Sequence, residues 1–142
     1  MNLTRPLLGL LLVILTACSV SREPKDALYQ ALGAQAGIEQ LVDTFISNIG
    51  HDARIVEQFR DTRISHFRAM LIEHFCALSG GPCEYTGDTM AQVHAGKNIS
   101  DAQFNALVED LIDAMESRQI PVSAQNRLLA LLAPMHADIV YH

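Results

Sequence analysis

The sequence has no tryptophan, and aromatic residues of all kinds make up only 6% of its 142 residues. Its glycines and prolines are grouped at a few turns. They do not occur at regular intervals between short segments of alternating apolar and polar residues. Strands favour aromatic and β-branched residues in such alternating segments, so the sequence argues against a sheet protein. Because a chain of this length usually forms one domain, we predict a single helical domain.

Positive charge is also scarce. The chain carries 10 Lys and Arg residues against 16 Asp and Glu residues, which gives a formal net charge of −6. A nucleic-acid-binding domain needs a patch of positive charge to meet the phosphates. We therefore expect no nucleic-acid partner.

Residues 1–17 have the pattern of an export signal. Arg5 supplies positive charge, and the apolar run over 7–15 is shorter than the ~20 residues that a membrane span needs. Leu15-Thr16-Ala17-Cys18 then resembles the lipobox of bacterial lipoproteins. This resemblance implies a signal peptide over 1–17, a lipidated Cys18 and a tether over 18–26. An ordinary signal peptide cut nearby is the alternative.

The lipid on Cys18 would hold the remaining domain, residues 27–142, at a lipid bilayer. We therefore expect an exported protein anchored in the cell envelope, on the periplasmic face of a bacterial outer or inner membrane. Ser19, rather than aspartate, follows the cysteine. In enteric-type bacteria that residue favours the outer membrane.

Apolar residues recur at helical spacing through most of the domain. A wide apolar stripe over 38–49 predicts one helix, and a second stripe predicts a long helix over 62–79. Ser100 and Gln103 form a capping-box pair, which predicts the start of another helix. Pro134 lies inside the apolar pattern of the last helix and should kink it. The predicted fold class is all-α.

The stretch over 80–94 carries the most specific pattern. It begins with Gly80-Gly81-Pro82, a corner that breaks a helix, and it ends in a short helical segment. Met90 and His94 lie one turn apart on that segment. An imidazole on a short, anchored helix is a good axial ligand for haem iron. His94 by itself would more often be an ordinary surface or core histidine.

The neighbouring features, taken in order, resemble the truncated haemoglobins of the first group. They are Leu28-Tyr29 to Leu32-Gly33, Phe59, the Gly80-Gly81-Pro82 corner, Tyr85-Thr86-Gly87, the segment from Met90 to His94, and two long helices. The resemblance runs from Leu28 to the C-terminus. It implies a shortened globin fold, a two-over-two helical sandwich, with His94 as the proximal ligand of haem iron. The thioether attachment motif Cys-x-x-Cys-His is absent, so we expect non-covalent haem b.

The resemblance also implies which residues surround the haem. Lys97 stands where a partner for a haem propionate is expected, although a lysine there is often only a solvated surface charge. Phe59 is expected against the haem face or simply in the core. The full set of expected haem contacts is Phe45, Ile46, Phe59, Phe67, Met70, Leu71, Met90, Val93, His94 and Lys97.

The expected distal face departs from the family's pattern. Many relatives place a tyrosine in the second helix and a glutamine in the long helix, and both donate hydrogen bonds to bound oxygen. A gapless reading puts Ile46 and Leu71 at those positions, with Phe67 at the usual distal-histidine position. We therefore expect an apolar distal pocket without a donor, which would favour nitric oxide and carbon monoxide over oxygen.

A second line on the long helix, His66, Met70 and His74, has a spacing of four residues. Such a line usually forms a partly solvated face. The alternative is that Met70, or one of the two histidines, fills the sixth coordination position of the iron.

The function most favoured is reversible binding of diatomic gases (oxygen, nitric oxide, carbon monoxide) at a pentacoordinate iron. The alternatives are a haem enzyme, of the nitric-oxide dioxygenase or peroxidase type, and an electron-transfer or redox-sensing protein with an internal sixth ligand. The enzyme would need a reductase partner, which the sequence does not identify. A haem-free structural lipoprotein on a globin-like frame is a further alternative.

Two cysteines flank the Gly80-Gly81-Pro82 corner. If the chain doubles back there, Cys76 and Cys83 can approach closely enough for a disulfide, which an exported protein can keep. Such a bond would pin the corner that leads to His94. Two separate thiols, one of them buried, are the alternative.

Overall fold

The computed structural model describes residues 23–142. The expected signal peptide, the lipidation of Cys18 and the first part of the tether lie outside the described residues. Within 23–142, no helix is both long and apolar enough to cross a membrane.

The described chain is helical throughout, as predicted. The α-helices are α1 (Ala27–Ala31), α2 (Ala34–His51), α3 (Ile64–Leu78), α4 (Met90–His94), α5 (Asp101–Ser117), α6 (Val122–Leu132) and α7 (His136–Ile139). Two 3-10 helices, Val56–Phe59 and Ala133–Met135, connect α2 to α3 and α6 to α7. The one β-like contact among the described residues is an isolated parallel bridge between Ile99 and Val140.

Helix α2 is the centre of the molecule, because it packs against both α3 and α5. Its buried side chains follow the predicted stripe and are Ile38, Leu41, Val42, Phe45 and Ile49. Side chains of α5 and α6, among them Met115 and Leu128, complete the core. Burying an apolar side chain of this size contributes about 1.5–3 kcal/mol, so the stripe is the main stabilising feature of the fold.

Most helix limits lie within a few residues of those predicted from the sequence. The long helix α3 is slightly shorter than the predicted 62–79, and the capping box of Ser100 and Gln103 is present. At Pro134, where a kink was expected, the α-helical pattern is interrupted by a 3-10 turn between α6 and α7. Proline removes a backbone donor and clashes with the preceding turn, which accounts for the break.

Two glycines allow the corner after α3 to form. Gly80 has φ +84°, in the left-handed region that glycine adopts without strain. A side chain on Gly81 would come within 2.6 Å of both the Cys76 sulfur and the ring of Tyr29. The chain can therefore turn tightly against α1 and α3 before it reaches α4.

Candidate functional site

A cavity of about 470 Å³ lies between α3, α4 and α5. Most of its wall is apolar, with side chains from several helices. They include Phe45 of α2, Phe59 of the following 3-10 helix, Phe67, Met70 and Leu71 of α3, Met90 and Val93 of α4, and Phe104, Leu107 and Leu111 of α5. A smaller cavity of about 110 Å³ shares Phe59, Phe67, Val93 and His94 with the first. A flat apolar group with one polar edge could therefore be enclosed at this place.

His94 is the last residue of α4 and lines both cavities. Its Nδ1 lies 2.7 Å from the carbonyl oxygen of Met90, one turn earlier. A carbonyl can only accept, so Nδ1 carries the proton and donates it, and Nε2 keeps its lone pair. A backbone partner of this kind fixes the tautomer and the ring orientation of metal-binding histidines.

Burial lowers the pKa of His94, and the positive charge of Lys97 lowers it further, although the hydrogen bond to Met90 acts in the opposite direction. The imidazole is therefore neutral at physiological pH. Neutral imidazole is the form that binds a metal ion.

Helix α4, which carries His94, is short but well capped at its N-terminus. Thr89 caps α4, because its hydroxyl accepts from the backbone N–H of Gln92 at 3.3 Å. The Gln92 side chain in turn accepts from the backbone N–H of Thr89 at 2.9 Å. This reciprocal capping box satisfies two backbone donors of a helix with a single turn.

Four side chains of α3 form one side of the large cavity and are called the α3 wall below: Phe67, Met70, Leu71 and His74. Their spacing of three and four residues places them on one face of the helix. Phe67 also packs on Phe59, with the ring centroids 5.3 Å apart. At the start of α3, Thr62, Arg63 and His66 line the rim of the cavity, and Arg63 and His66 are exposed.

His74 differs from its neighbours in the α3 wall, since it is a half-buried polar side chain. Its ring packs on that of Tyr85, with the centroids 4.9 Å apart. The Tyr85 hydroxyl donates to the carbonyl oxygen of Asp88 at 2.9 Å, which holds the phenol ring in place. Burial lowers the pKa of His74, so this imidazole too is neutral at physiological pH.

The corner between α3 and α4 is tied to α3 at two further points. The carboxylate of Glu73 accepts hydrogen bonds from the backbone N–H and the hydroxyl of Thr86, at 3.1 and 2.8 Å. Cys76 and Cys83 form a disulfide whose Cα atoms are 5.8 Å apart. Both ties hold the segment that precedes α4 close to the cavity.

The structure brings together most of the residues predicted at the site. Phe45, Phe59, Phe67, Met70, Leu71, Met90, Val93 and His94 all line the large cavity. Lys97 lines only the smaller cavity. Ile46 lines neither cavity and instead packs, half-buried, against the hydrophobic core. Phe45 and Ile46 are adjacent on the apolar side of α2, so periodicity alone could not tell which of them faces the cavity.

Several cavity residues were not assigned to the site from the sequence. Phe104 and Leu107 of α5 line both cavities together with His94, although their apolar spacing indicates no more than an amphipathic helix. His74 was assigned mainly to a partly solvated face. Its spacing of three residues from Leu71 was the available signal, because both then lie on one side of α3.

Comparison with known proteins identifies the fold. The structure is similar to that of the truncated haemoglobin of Tetrahymena pyriformis, with a TM-score of 0.78 over 81% of this chain and 98% of that one, at 23% identity. It is also similar to the 2/2 haemoglobin of a Synechococcus species, with a TM-score of 0.75 over 80% and 97% of the two chains, at 18% identity. The predicted two-over-two globin fold is therefore confirmed.

The sequence points to the same family. Residues 27–141 match the model of the family described as bacterial-like globin. The chain is 34% identical to the group 1 truncated haemoglobin GlbN of Nostoc commune, over 75% of this chain and 88% of that protein. It is 28% identical to the corresponding GlbN of Mycolicibacterium paratuberculosis, over 80% and 83% of the two chains. The chain therefore belongs to the bacterial-like globin family and, within it, to the truncated haemoglobins.

Proposed function

We propose that this protein binds haem b non-covalently in the large cavity and reversibly binds diatomic gases there. The observation that carries the proposal is the state of His94. Its Nδ1 proton is held by the Met90 carbonyl at 2.7 Å, so Nε2 is free on a neutral imidazole that lines an apolar cavity. Haem iron, once held there, supplies a coordination position for oxygen, nitric oxide or carbon monoxide.

The rest of the cavity fits such a group. Phe59, Val93 and Leu107 offer apolar surface to a flat macrocycle. The rim at Thr62, Arg63 and His66 offers donors and positive charge for its two anionic propionates. Lys97 borders the adjoining small cavity and could serve the same purpose. We therefore assign propionate binding to Arg63 as well as to Lys97.

The proposal is tested by absorption spectra of the purified protein in the ferric, ferrous and carbon monoxide forms. We expect a Soret band in the wild type and a marked loss of bound haem in His94→Gly. His51→Gly is the matched control, because His51 is exposed at the end of α2, lies outside both cavities and contacts the carbonyl oxygen of Ser47 at 2.7 Å. A His94→Gly variant with unchanged haem content and an unchanged iron spectrum would refute the assignment.

A low-spin electron carrier is the second candidate, because Met70 lines the same cavity and is half-buried. A thioether in the sixth position would raise the reduction potential, as methionine does in cytochromes. The ferric and ferrous spectra separate the two candidates. A six-coordinate, low-spin spectrum that becomes five-coordinate in Met70→Leu supports the electron carrier.

Catalysis of the nitric-oxide dioxygenase or peroxidase type remains an alternative proposal. It needs an electron donor, and no feature of the described residues identifies one. Steady consumption of nitric oxide in the presence of oxygen and a supplied reductant would favour it over simple gas binding.

A further inference from the structure

The α3 wall is not wholly apolar, because His74 lies in it beside Leu71. His74 follows Leu71 by three residues and Met70 by four, so the three side chains share one face of α3. All three line the large cavity, which His94 also lines. His74 is therefore the only residue of the α3 wall whose side chain has an N–H group.

Among the described residues, the ring of His74 contacts aromatic side chains and no polar partner. No hydrogen bond joins either of its nitrogens to another residue in the part of the chain that the structure describes. A half-buried polar group without a partner costs free energy unless water or a ligand satisfies it. Its neighbours are instead aromatic, with Tyr85 at 4.9 Å and Phe75 at 6.4 Å between ring centroids.

The environment also fixes the orientation of this ring. Tyr85 is held by its own hydrogen bond to Asp88, and the adjacent Thr86 is bonded to Glu73. The phenol ring therefore stays against one face of the imidazole. A donor that is positioned in advance loses little entropy when it binds its acceptor, which makes the hydrogen bond more effective.

We propose that His74 is a specificity-determining residue of the gas site, where its imidazole N–H donates a hydrogen bond to dioxygen held in the cavity. The inference rests on the proposed haem function. His74 supplies the donor that Ile46 and Leu71 lack. Because bound dioxygen carries partial negative charge, the donor stabilises it more than it stabilises carbon monoxide.

The first test compares oxygen dissociation rates of the haem-loaded full-length wild type and His74→Leu by stopped-flow absorption. One hydrogen bond of this kind predicts a rate that rises about five- to tenfold in the variant. His51→Leu is the matched control, because His51 is an exposed histidine at the end of α2 that lines neither cavity. His74→Gln keeps an N–H donor and should retain a rate near that of the wild type.

The second test uses the C–O stretching frequency of the carbon monoxide form, measured by infrared absorption. A donor near the ligand lowers this frequency, so we expect it to rise in His74→Leu and to stay unchanged in His51→Leu. A purely structural role for His74 would not shift the band in this selective way.

The outcomes separate this inference from the function on which it rests. A wild type without a Soret band overturns both. Normal haem spectra in His74→Leu, with an unchanged dissociation rate and an unchanged C–O band, overturn only the role of His74. A low-spin wild type that becomes five-coordinate in His74→Leu also overturns it, since His74 would then be an iron ligand and not a donor.

Discussion

At the scale of single residues, burial and one hydrogen bond decide what each histidine of the cavity can do. His94 has its Nδ1 proton committed to the Met90 carbonyl, so only Nε2 is left for a metal. His74 has no such partner among residues 23–142, so its N–H remains available to a ligand. From the sequence alone, His74 and His94 look alike, since both lie on predicted helices. The difference between them is visible only once their neighbours in the structure are known.

Burial of the Asp110 side chain is unfavourable in free energy. Asp110 is 6% exposed on α5, and its Oδ2 has no hydrogen-bond partner among the described residues. Burial raises its pKa above the ordinary value of 3.8, and the negative charge of Asp52 raises it further. The Asp110 carboxyl therefore stays protonated to higher pH in the native state than in the unfolded chain.

This difference predicts a pH-dependent effect of Asp110→Asn. As pH rises from 3.8 through the raised pKa, the unfolded chain binds fewer protons than the native state, so the wild type loses stability. The amide cannot ionise and avoids that loss. We expect Asp110→Asn to stabilise the protein at pH ~7 by about 1 kcal/mol, or about 4 °C in Tm.

Thermal unfolding at two pH values checks this expectation. Well below pH 3.8 the difference between wild type and variant should disappear, because the side chain at position 110 is then neutral in both the native and the unfolded state. Asp113→Asn, an exposed position one turn later on α5, should change little at either pH. If Asp110→Asn is instead destabilising at neutral pH, the carboxylate is charged and has a partner.

Individual residues also show how much of the site could be predicted from the sequence. The resemblance, applied residue by residue, placed eight of its ten expected haem contacts on the large cavity. Ile46 lies outside both cavities, and the sequence could not separate it from Phe45, because adjacent residues on a wide apolar stripe differ by about 100° around the helix and both fit the pattern. The spacing of His66, Met70 and His74 predicted a partly solvated face, and it could not show that Tyr85, from the corner after α3, packs on His74.

At the scale of elements, the cap of α4 is the feature on which the position of His94 depends most. An isolated helix of one turn is unstable in water, so α4 needs its cap more than a long helix does. Thr89→Ala removes the hydroxyl that accepts from Gln92 and should cost about 1 kcal/mol. We expect haem to dissociate about fivefold faster from the variant.

Ser100→Ala gives a matched control for this prediction. Ser100 caps α5 with the same capping box, but α5 has 17 residues and is held by core packing along its length. Both variants should lose similar stability, and only Thr89→Ala should release haem faster to an excess of apomyoglobin. Equal acceleration in the two variants would show that haem loss follows global stability rather than α4.

The disulfide is the second element that holds the corner before α4. Cys76 is fully buried at the end of α3, and Cys83 lies seven residues later. Closing a loop of this length is expected to stabilise the native state by about 2.5 kcal/mol, mainly through the unfolded chain. Cys83→Ser should therefore lower Tm by about 10 °C.

A dithiol reductant provides the internal check on the disulfide. It should lower the Tm of the wild type to that of Cys83→Ser and should leave the variant unchanged. Two alkylatable thiols in the untreated wild-type protein would show that the bond is absent. The sequence left this pairing open, because the approach of the two Cα atoms depends on the tight turn that Gly80 and Gly81 allow.

At the scale of the whole molecule, the start of the described chain and the rim of the cavity lie at opposite ends of α3. Glu23 pairs with Arg127 at 2.7 Å, and the backbone N–H of Tyr29 donates to Ser79 at 3.0 Å, just after α3 ends. Arg63 and His66 lie where α3 begins. A helix of 15 residues spans about 22 Å between these two places.

We propose that the protein is exported and anchored in the envelope through a lipid on Cys18, as the lipobox-like sequence indicates. Residues 18–22 can reach at most ~18 Å when extended, which is less than the length of α3. The anchor would therefore lie on the side of the molecule away from the exposed rim. Gas binding should then be the same in the anchored and the released protein.

Cys18→Ser tests both parts of this proposal. Without the thiol no lipid can be attached, so we expect the protein to leave the membrane fraction, while its haem spectrum and oxygen dissociation rate remain those of the wild type. Ser19→Ala is the matched control, since it alters the neighbouring residue and keeps the cysteine. Continued sedimentation of Cys18→Ser with washed membranes would refute the lipid anchor. Release accompanied by a changed oxygen rate would show instead that the anchored protein turns its cavity rim towards the bilayer.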